Sequence, residues 1–349
     1  MVISADENVS RRFTRIFLII LATGLAVSAG LALYVDPLAT FGTGRLPPLL
    51  TNEREDKPKA FLRLDPSPQA IVVGSSRVMK LAPSCITELT GLPAFNFGFS
   101  NARVEDWDAV VAFYRDRSHA QLQELIIGVD VESFDNTETD RRLLSSTYFS
   151  SYLGGDSHIS WDTASRALFS MQALSSSMTS IRRYLRTGTA LHYTTGPDGF
   201  LTYPDWEEAV REGTFKQEPH IVELASRLQQ EAVNNDFRKL SPSRVARFIN
   251  LVKWAHAARV TVDVFIPPLH PAIVTAQAKG GQLVARTQEL NTILLDLERD
   301  GLIRYLKVDK VEDFGGDLAG YFDGGHMMES NTSRLLLKMF HHSRGCGLT

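Results

Sequence analysis

Two serines and a cation end the first predicted strand of this chain. Ala70–Val73 is a run of four apolar residues, and Gly74, Ser75, Ser76 and Arg77 follow it directly. This stretch is either an ordinary turn or a serine nucleophile held at the edge of a sheet. A serine attacks an acyl carbon only when a base takes its proton, and that base needs an acid to orient it.

A short block near the C-terminus offers both a base and an acid. Asp323 and His326 are three residues apart, with two glycines between them. Such a tight loop can fold the carboxylate of Asp323 onto Nδ1 of the imidazole, which leaves Nε2 free to face a serine. Alone, each motif is weak, because Ser75 and Ser76 suit a common turn, Asp323 suits a loop cap, and His326 suits a protein surface.

The elements that would position these residues alternate between strands and helices. The predicted strands cover residues 70–73, 94–98, 125–130, 260–268 and 302–308, and the predicted helices cover residues 83–90, 104–117, 242–258, 273–300 (with a break at Gly280 and Gly281) and 330–341. Continuous apolar strands separated by helices are typical of a parallel sheet covered on both faces. We therefore predict a doubly wound α/β sandwich.

The carboxyl ends of such strands meet at one edge of the sheet, where ligands bind. In this chain the strand ends bring Ser76, Gly98, Asp130 and His270 to that edge. His270, which follows two prolines, is either a loop cap or a substrate contact.

Residues 137–240 do not follow this alternation. They are rich in Ser, Thr and Tyr and carry scattered aromatic residues. We interpret them as a mainly helical insertion that caps the sheet edge, with the aromatic residues in the core of the cap rather than in a sugar-stacking platform.

The N-terminus predicts a membrane anchor. Arg11, Arg12 and Arg15 lie in a polar tail, residues 1–16, and residues 17–35 are nineteen residues without a charge. A helix that crosses a bilayer core needs roughly 20 residues. The basic tail predicts a cytoplasmic N-terminus and a globular part outside the membrane. The competing interpretation is a cleaved signal peptide, since small residues lie within the span.

The proline-rich residues 36–68 predict an extended connector to a globular domain at 69–349. A formal net charge of −3 gives no electrostatic case for nucleic-acid binding. The two cysteines, Cys85 and Cys346, are either free thiols or one disulfide, and no metal-ligand cluster is apparent. We expect neither a metal nor an organic cofactor.

These motifs resemble the SGNH/GDSL hydrolase superfamily, in particular its membrane-anchored extracytoplasmic branch of DltD-like and polysaccharide O-acetylation proteins. The resemblance covers roughly residues 68–340, with 137–240 unmatched. It implies a flavodoxin-like sheet and acyl-ester chemistry. It also implies a nucleophile at Ser76, an acid and base at Asp323 and His326, and oxyanion donors at the backbone N–H groups of Ser76 and Gly98 and at an Asn side chain.

Two positions depart from the family pattern. Ser75 replaces the usual Asp before the nucleophile, and Asp130 stands where an oxyanion Asn is expected. An ionised carboxylate cannot donate a hydrogen bond, and losing one such donor typically costs about 10²–10³ in rate. Either Asn101 takes over the donor role, or Arg77 pairs with Asp130 and neutralises it.

The resulting prediction is a serine esterase or O-acyltransferase anchored in a bacterial inner membrane, with its catalytic domain in the periplasm. By resemblance, its substrate is an acylated carbohydrate or acyl donor of an envelope or extracellular polysaccharide, and a membrane acyl-transfer protein is a candidate partner. The alternatives are an inactive scaffold or glycan-binding component of a polysaccharide assembly, and a phosphate cradle at Ser75–Arg77.

Overall fold

The computed structural model describes residues 5–37, 40–41, 43–46, 49, 52–153, 161–187, 193–234, 237–279 and 282–348. Over these residues the chain forms two compact units. One contains the N-terminal residues up to 52 and the segment 158–193, and the other contains 53–157 and 194–349.

The second unit contains a parallel sheet of five strands. The strands of the chain are β1 (Ala70–Gly74), β2 (Ala94–Asn96), β3 (Glu124–Gly128), β4 (Thr194–Thr195), β5 (Leu201–Thr202), β6 (Thr261–Phe265) and β7 (Arg304–Leu306). In the main sheet their order is β2-β1-β3-β6-β7, all parallel, whereas β4 and β5 form a separate antiparallel hairpin. Gly74 pairs with Gly128, so the carboxyl ends of β1 and β3 lie level. The predicted α/β class and parallel sheet are confirmed.

Thirteen helices lie within the described residues. They are α1 (Ala5–Val35), α2 (Glu53–Phe61), α3 (Pro83–Thr90), α4 (Val104–Arg117), α5 (Arg141–Leu144), α6 (Trp161–Phe169), α7 (Met171–Thr187), α8 (Pro204–Arg211), α9 (Gln217–Asn234), α10 (Pro242–Ala257), α11 (Pro271–Ala278), α12 (Gln282–Arg299) and α13 (Glu329–Met339). The predicted break at Gly280 and Gly281 lies outside the described residues, between α11 and α12.

The sheet is buried on both faces. All five residues of β1 and all five of β3 are buried. Ile71 and Val73 belong to one hydrophobic cluster, which also contains residues of α4, α10 and α12, whereas Ala70 and Val72 belong to a second cluster with residues of α3 and α13. Alternate residues of a strand are thus buried on opposite faces of the sheet. This explains why the sequences of these strands are continuous apolar runs.

The first unit is built around α1. Its segment Ser10–Val35 contains an 18-residue stretch with a mean hydropathy of 2.5, of which 6% is buried, so the helix is long and apolar enough to cross a membrane. The helix begins at Ala5. Residues 5–16 of the predicted polar tail are therefore helical and continuous with the apolar span. α6 and α7 pack against α1.

Two expectations about the connecting segments are corrected. The connector of residues 36–68 is not extended throughout, because α2 occupies its second half and buries Arg54 and Lys57. Prolines 47 and 48 of that connector lie outside the described residues. The insertion at 137–240 is mainly helical, but it is not one cap, because 161–187 belong to the unit of α1.

The two cysteines form a disulfide. Cys85 of α3 is bonded to Cys346 near the C-terminus, across 261 residues of sequence. The C-terminal segment is thereby attached to the α/β unit.

Candidate active site

Ser76 begins a tight turn directly after β1. Residues 76–78 form a single 3₁₀ turn, and the side-chain oxygen of Ser75 accepts a hydrogen bond from the backbone N–H of Arg77 at 3.2 Å. Ser75 therefore caps the turn, as expected from the sequence. The hydroxyl of Ser76 takes no part in this cap and faces the edge of the sheet.

Three glycines make room for this turn. A Cβ on Gly74 would lie 2.8 Å from Val78, a Cβ on Gly98 would lie 2.9 Å from the same side chain, and a Cβ on Gly128 would clash with it as well. Val78 is fully buried. Gly74 also has φ +151°, a conformation that side chains rarely adopt. These glycines, at the ends of β1, β2 and β3, form a cradle for Val78 and so set the position of Ser76.

The loop before α13 brings the other two side chains to Ser76. Nε2 of His326 lies 2.8 Å from Oγ of Ser76, and Nδ1 of His326 lies 2.8 Å from Oδ2 of Asp323. The other carboxylate oxygen accepts the N–H groups of Gly325 at 2.9 Å and His326 at 2.8 Å. Gly324 has φ +82°, which lets the loop turn back on itself. The predicted contacts are thus present across 250 residues of sequence.

The surroundings of Asp323 keep it ionised. Burial alone would raise the pKa of its carboxyl group, but the charge of His326 and the hydrogen bonds from the imidazole and from two backbone N–H groups lower that pKa to about 2. His326 and Asp323 have side chains that are 22% and 15% exposed. An anion in this position selects the imidazole tautomer whose Nε2 can accept a proton from Ser76.

Arg77 pairs with Asp130, as one of the two sequence-based alternatives predicted, and also with Glu132, which was not predicted. Its guanidinium donates to Asp130 at 2.7 Å and to Glu132 at 3.3 Å. Burial alone would lower the pKa of Arg77, but the two carboxylates raise it. The carboxylate of Asp130 is 5% exposed and is neutralised by this contact.

The two other expected oxyanion donors are placed less favourably. The N–H of Gly98 donates to Oδ1 of Asn96 at 2.8 Å, so it is not available to a substrate while this bond persists. Asn101 is exposed, has φ +56°, and forms no hydrogen bond with Ser76, Asp323 or His326 among the described residues. Among the described residues the backbone N–H of Ser76 has no hydrogen-bond partner, so it is available to an oxyanion.

Several neighbours of the site were not predicted. The ring of Tyr203 lies 6.4 Å from the ring of His326 and stacks on Trp206 at 5.0 Å, and Phe322 packs against both aromatic residues. Tyr203 and Trp206 are half-buried, in agreement with a packing role for the aromatic residues of this segment. These aromatic residues are scattered through the sequence in no pattern, so their closeness to His326 could not be predicted from it.

Lys57 and His270 support loops of the site. Nζ of Lys57 donates to the carbonyl of Gly98 at 2.7 Å, and burial lowers the pKa of this lysine to about 7, against the opposing charges of Glu53 and Asp198. Nδ1 of His270 accepts the N–H of Ala272 at 3.2 Å, and its backbone N–H donates to Gly324. His270 is therefore the N-cap of α11.

A cavity of about 230 Å³ lies next to Arg77. Its lining includes Glu132, the loop of residues 267–269, and apolar residues such as Val274 and Val308. Among the described residues there is no group of three or more His, Cys, Asp or Glu arranged to hold a metal ion.

No protein-family model matches this chain, and no curated protein matches it either. A hydroxyl, an imidazole and a carboxylate in consecutive hydrogen-bond contact are the components of nucleophilic acyl transfer.

Proposed function

We propose that this protein is a membrane-anchored serine esterase or O-acyltransferase of the SGNH type, on a flavodoxin-like three-layer sandwich. The observation that carries the proposal is the 2.8 Å contact between Oγ of Ser76 and Nε2 of His326, with Asp323 held on the other ring nitrogen. The strand order β2-β1-β3-β6-β7 supports the flavodoxin-like arrangement.

The reaction begins when Nε2 of His326 takes the proton of Ser76 as the serine oxygen bonds to the acyl carbon. The tetrahedral intermediate collapses, the ester C–O bond breaks, and His326 returns the proton to the leaving alcohol. Water or a sugar hydroxyl then attacks the acyl-serine, with His326 again accepting and returning the proton. Asp323 holds the ring in the required tautomer throughout.

The backbone N–H of Ser76 is the proposed first donor to the oxyanion. The second donor is the N–H of Gly98, provided that substrate displaces it from Oδ1 of Asn96. Arg77 keeps Asp130 neutralised, which removes the repulsion that an unpaired carboxylate would exert on the oxyanion.

We further propose that α1 is a single-pass anchor in a bacterial inner membrane, with the catalytic unit in the periplasm. The arginines that precede the apolar span support this orientation. The disulfide between Cys85 and Cys346 is consistent with an oxidising compartment. The proposed substrate is an acylated envelope or extracellular polysaccharide or an acyl donor, with a membrane acyl-transfer protein as candidate partner.

A fluorophosphonate probe tests the nucleophile in the full-length, detergent-solubilised protein. Ser76→Ala is expected to abolish covalent labelling, whereas Ser84→Ala, which alters an exposed serine of α3, is expected to label like the parent. Labelling of Ser76→Ala at the parental rate would overturn the assignment.

A second candidate function is a non-catalytic glycan-binding or scaffold component of a polysaccharide assembly. The engagement of the Gly98 N–H by Asn96 favours it, because this leaves the oxyanion with one free donor among those predicted. This function predicts no p-nitrophenyl acetate turnover by the parent protein and full glycan binding by Ser76→Ala. Turnover that is lost in Ser76→Ala would exclude it.

A further inference from the structure

The helices α6 and α7 lie against the apolar helix α1, within one compact unit. Oγ of Ser28 donates to the carbonyl of Leu168 at 3.4 Å, next to the corner where α6 gives way to α7. Ala173, Ser177 and Ser180 form a buried line along one face of α7. Small residues of this kind allow close approach of helices, as in membrane-embedded helix pairs.

A second face of α7 is apolar, with Met171, Met178 and Leu185 exposed and Leu174 and Ile181 half-buried. Met171, Leu174, Met178, Ile181 and Leu185 recur at intervals of three or four residues and form a continuous stripe. Met171 is 79% exposed, and Leu185 is 78% exposed. We call these five residues the α7 stripe.

The neighbouring helix α6 adds two large exposed residues. Trp161 is 91% exposed, and Phe169 at the corner is 49% exposed. Soluble proteins rarely leave a continuous apolar surface in water, and tryptophan is enriched at membrane interfaces. The exposed surface thus continues from α1 onto α6 and α7.

The contact at Ser28 shows how far the corner between α6 and α7 lies from the end of the apolar span of α1. Ser28 lies seven residues before Val35, where α1 and its apolar span both end, and seven helical residues correspond to about 10 Å. Amphipathic helices at a membrane surface bury their apolar faces about 5–10 Å into the boundary between headgroups and acyl chains. If α1 spans the bilayer, the corner between α6 and α7 is already at that depth.

The charges fit an anionic lipid surface. Residues 161–187 contain four arginines and a single acidic residue, Asp162. Arg182 follows Met178 by four residues, and Arg186 follows Arg182 by four, so both exposed arginines border the α7 stripe. Long basic side chains there can reach headgroup phosphates while the stripe stays in the acyl chains.

We propose that α6 and α7 lie in the lipid interface of the membrane that α1 crosses, with the α7 stripe in the acyl-chain region and Arg182 and Arg186 on anionic headgroups. The chain would then be held by a helix across the bilayer and by a helix pair on its surface. This proposal rests on the proposed membrane anchor α1 and does not depend on the catalytic roles of Ser76 or His326.

Site-directed fluorescence in vesicles of phosphatidylcholine and phosphatidylglycerol tests the proposal. Both native cysteines are in the disulfide, so Met178→Cys, Leu185→Cys and Thr179→Cys each introduce one free thiol for an environment-sensitive fluorophore in the full-length protein. Thr179 is the matched control, because it is exposed, adjacent to Met178 in sequence, and on the polar face of α7.

The labels at positions 178 and 185 are expected to lose fluorescence to lipids that carry a spin label on the acyl chain. The label at 179 is expected to respond instead to iodide in the water. Arg182→Gln with Arg186→Gln is expected to reduce the dependence of the 178 signal on the phosphatidylglycerol fraction. Equal access of iodide to 178 and 179 would overturn the proposal, and so would protection of 178 from both quenchers, which would indicate a second protein copy over the stripe.

Discussion

Asp323→Asn removes the carboxylate that orients His326 while it keeps nearly the same shape. In the parent, that carboxylate accepts Nδ1–H of His326 and the backbone N–H groups of Gly325 and His326. An amide presents one donor and one acceptor in place of two acceptors, so one of these contacts must be lost or reversed. The wrong imidazole tautomer is then favoured, and loss of about 10⁴ in the rate of acylation is expected by the logic of serine triads.

The same change has a stability effect with a defined pH dependence. The pKa of Asp323 falls from 3.8 to about 2 on folding, which corresponds to roughly 2 kcal/mol of stability at neutral pH. Because the folded pKa is the lower one, this contribution is present above about pH 4 and is lost as the pH falls toward 2. The parent should therefore exceed Asp323→Asn in stability at pH 7, and the difference should shrink through that window.

Two measurements check this prediction. The rate of fluorophosphonate labelling reports on the nucleophile, and urea unfolding at pH 7, 4 and 3 reports on stability. Asp317→Asn is the control, because Asp317 caps a 3₁₀ turn by accepting the N–H of Ala319 away from the triad. An Asp323→Asn protein that labels as fast as the parent would refute the proposed role of the carboxylate, and a stability difference independent of pH would refute the electrostatic reasoning.

Three further predictions concern the support of the site. Arg77→Met leaves Asp130 buried without its cation and should cost about 3–5 kcal/mol in urea unfolding; adding Asp130→Asn should restore part of this loss, and no restoration would contradict the pairing. Gly128→Ala should slow probe labelling and cost about 1–3 kcal/mol, because its methyl group meets Val78. Val78→Ala in the same chain should recover the labelling rate, and failure to do so would count against the glycine cradle. Reduction of the disulfide with dithiothreitol should lower the stability of the α/β unit by about 2–5 kcal/mol; equal melting temperatures of the oxidised and reduced protein would exclude this contribution.

Of the two triad contacts, the one between Asp323 and His326 followed from a local pattern, whereas the one between His326 and Ser76, 250 residues away, was expected from the resemblance to a known family. Asp323 and His326 are three residues apart with two glycines between them, so their mutual geometry is largely set by the loop. The position of Ser76 followed from the apolar run before it, since parallel strands deliver their carboxyl ends to a common edge. Contacts between residues of the same short segment can be predicted reliably from the sequence.

The roles of Gly98 and of the connector depended on distant partners. Gly98 has the sequence context of an oxyanion donor, but in the folded chain its N–H is bonded to Asn96 and its missing side chain makes room for Val78. α2 has almost no apolar periodicity, and it is buried through contacts such as the 2.7 Å ion pair between Arg54 and Asp106. Hydrophobic patterns cannot reveal an element whose burial depends on charges fifty residues away.

The sequence by itself determined the α/β class, the apolar N-terminal helix and the pairing of Asp323 with His326, because each is encoded in composition, periodicity or short-range spacing. The contact of His326 with Ser76 spans 250 residues and is a property of the tertiary structure. Only the tertiary structure decided that Arg77 pairs with Asp130, that Cys85 is joined to Cys346, and that α6 and α7 pack on α1. Each of these results joins segments far apart in the chain. Their pairing is decided by how the folded elements approach one another, which no local pattern records.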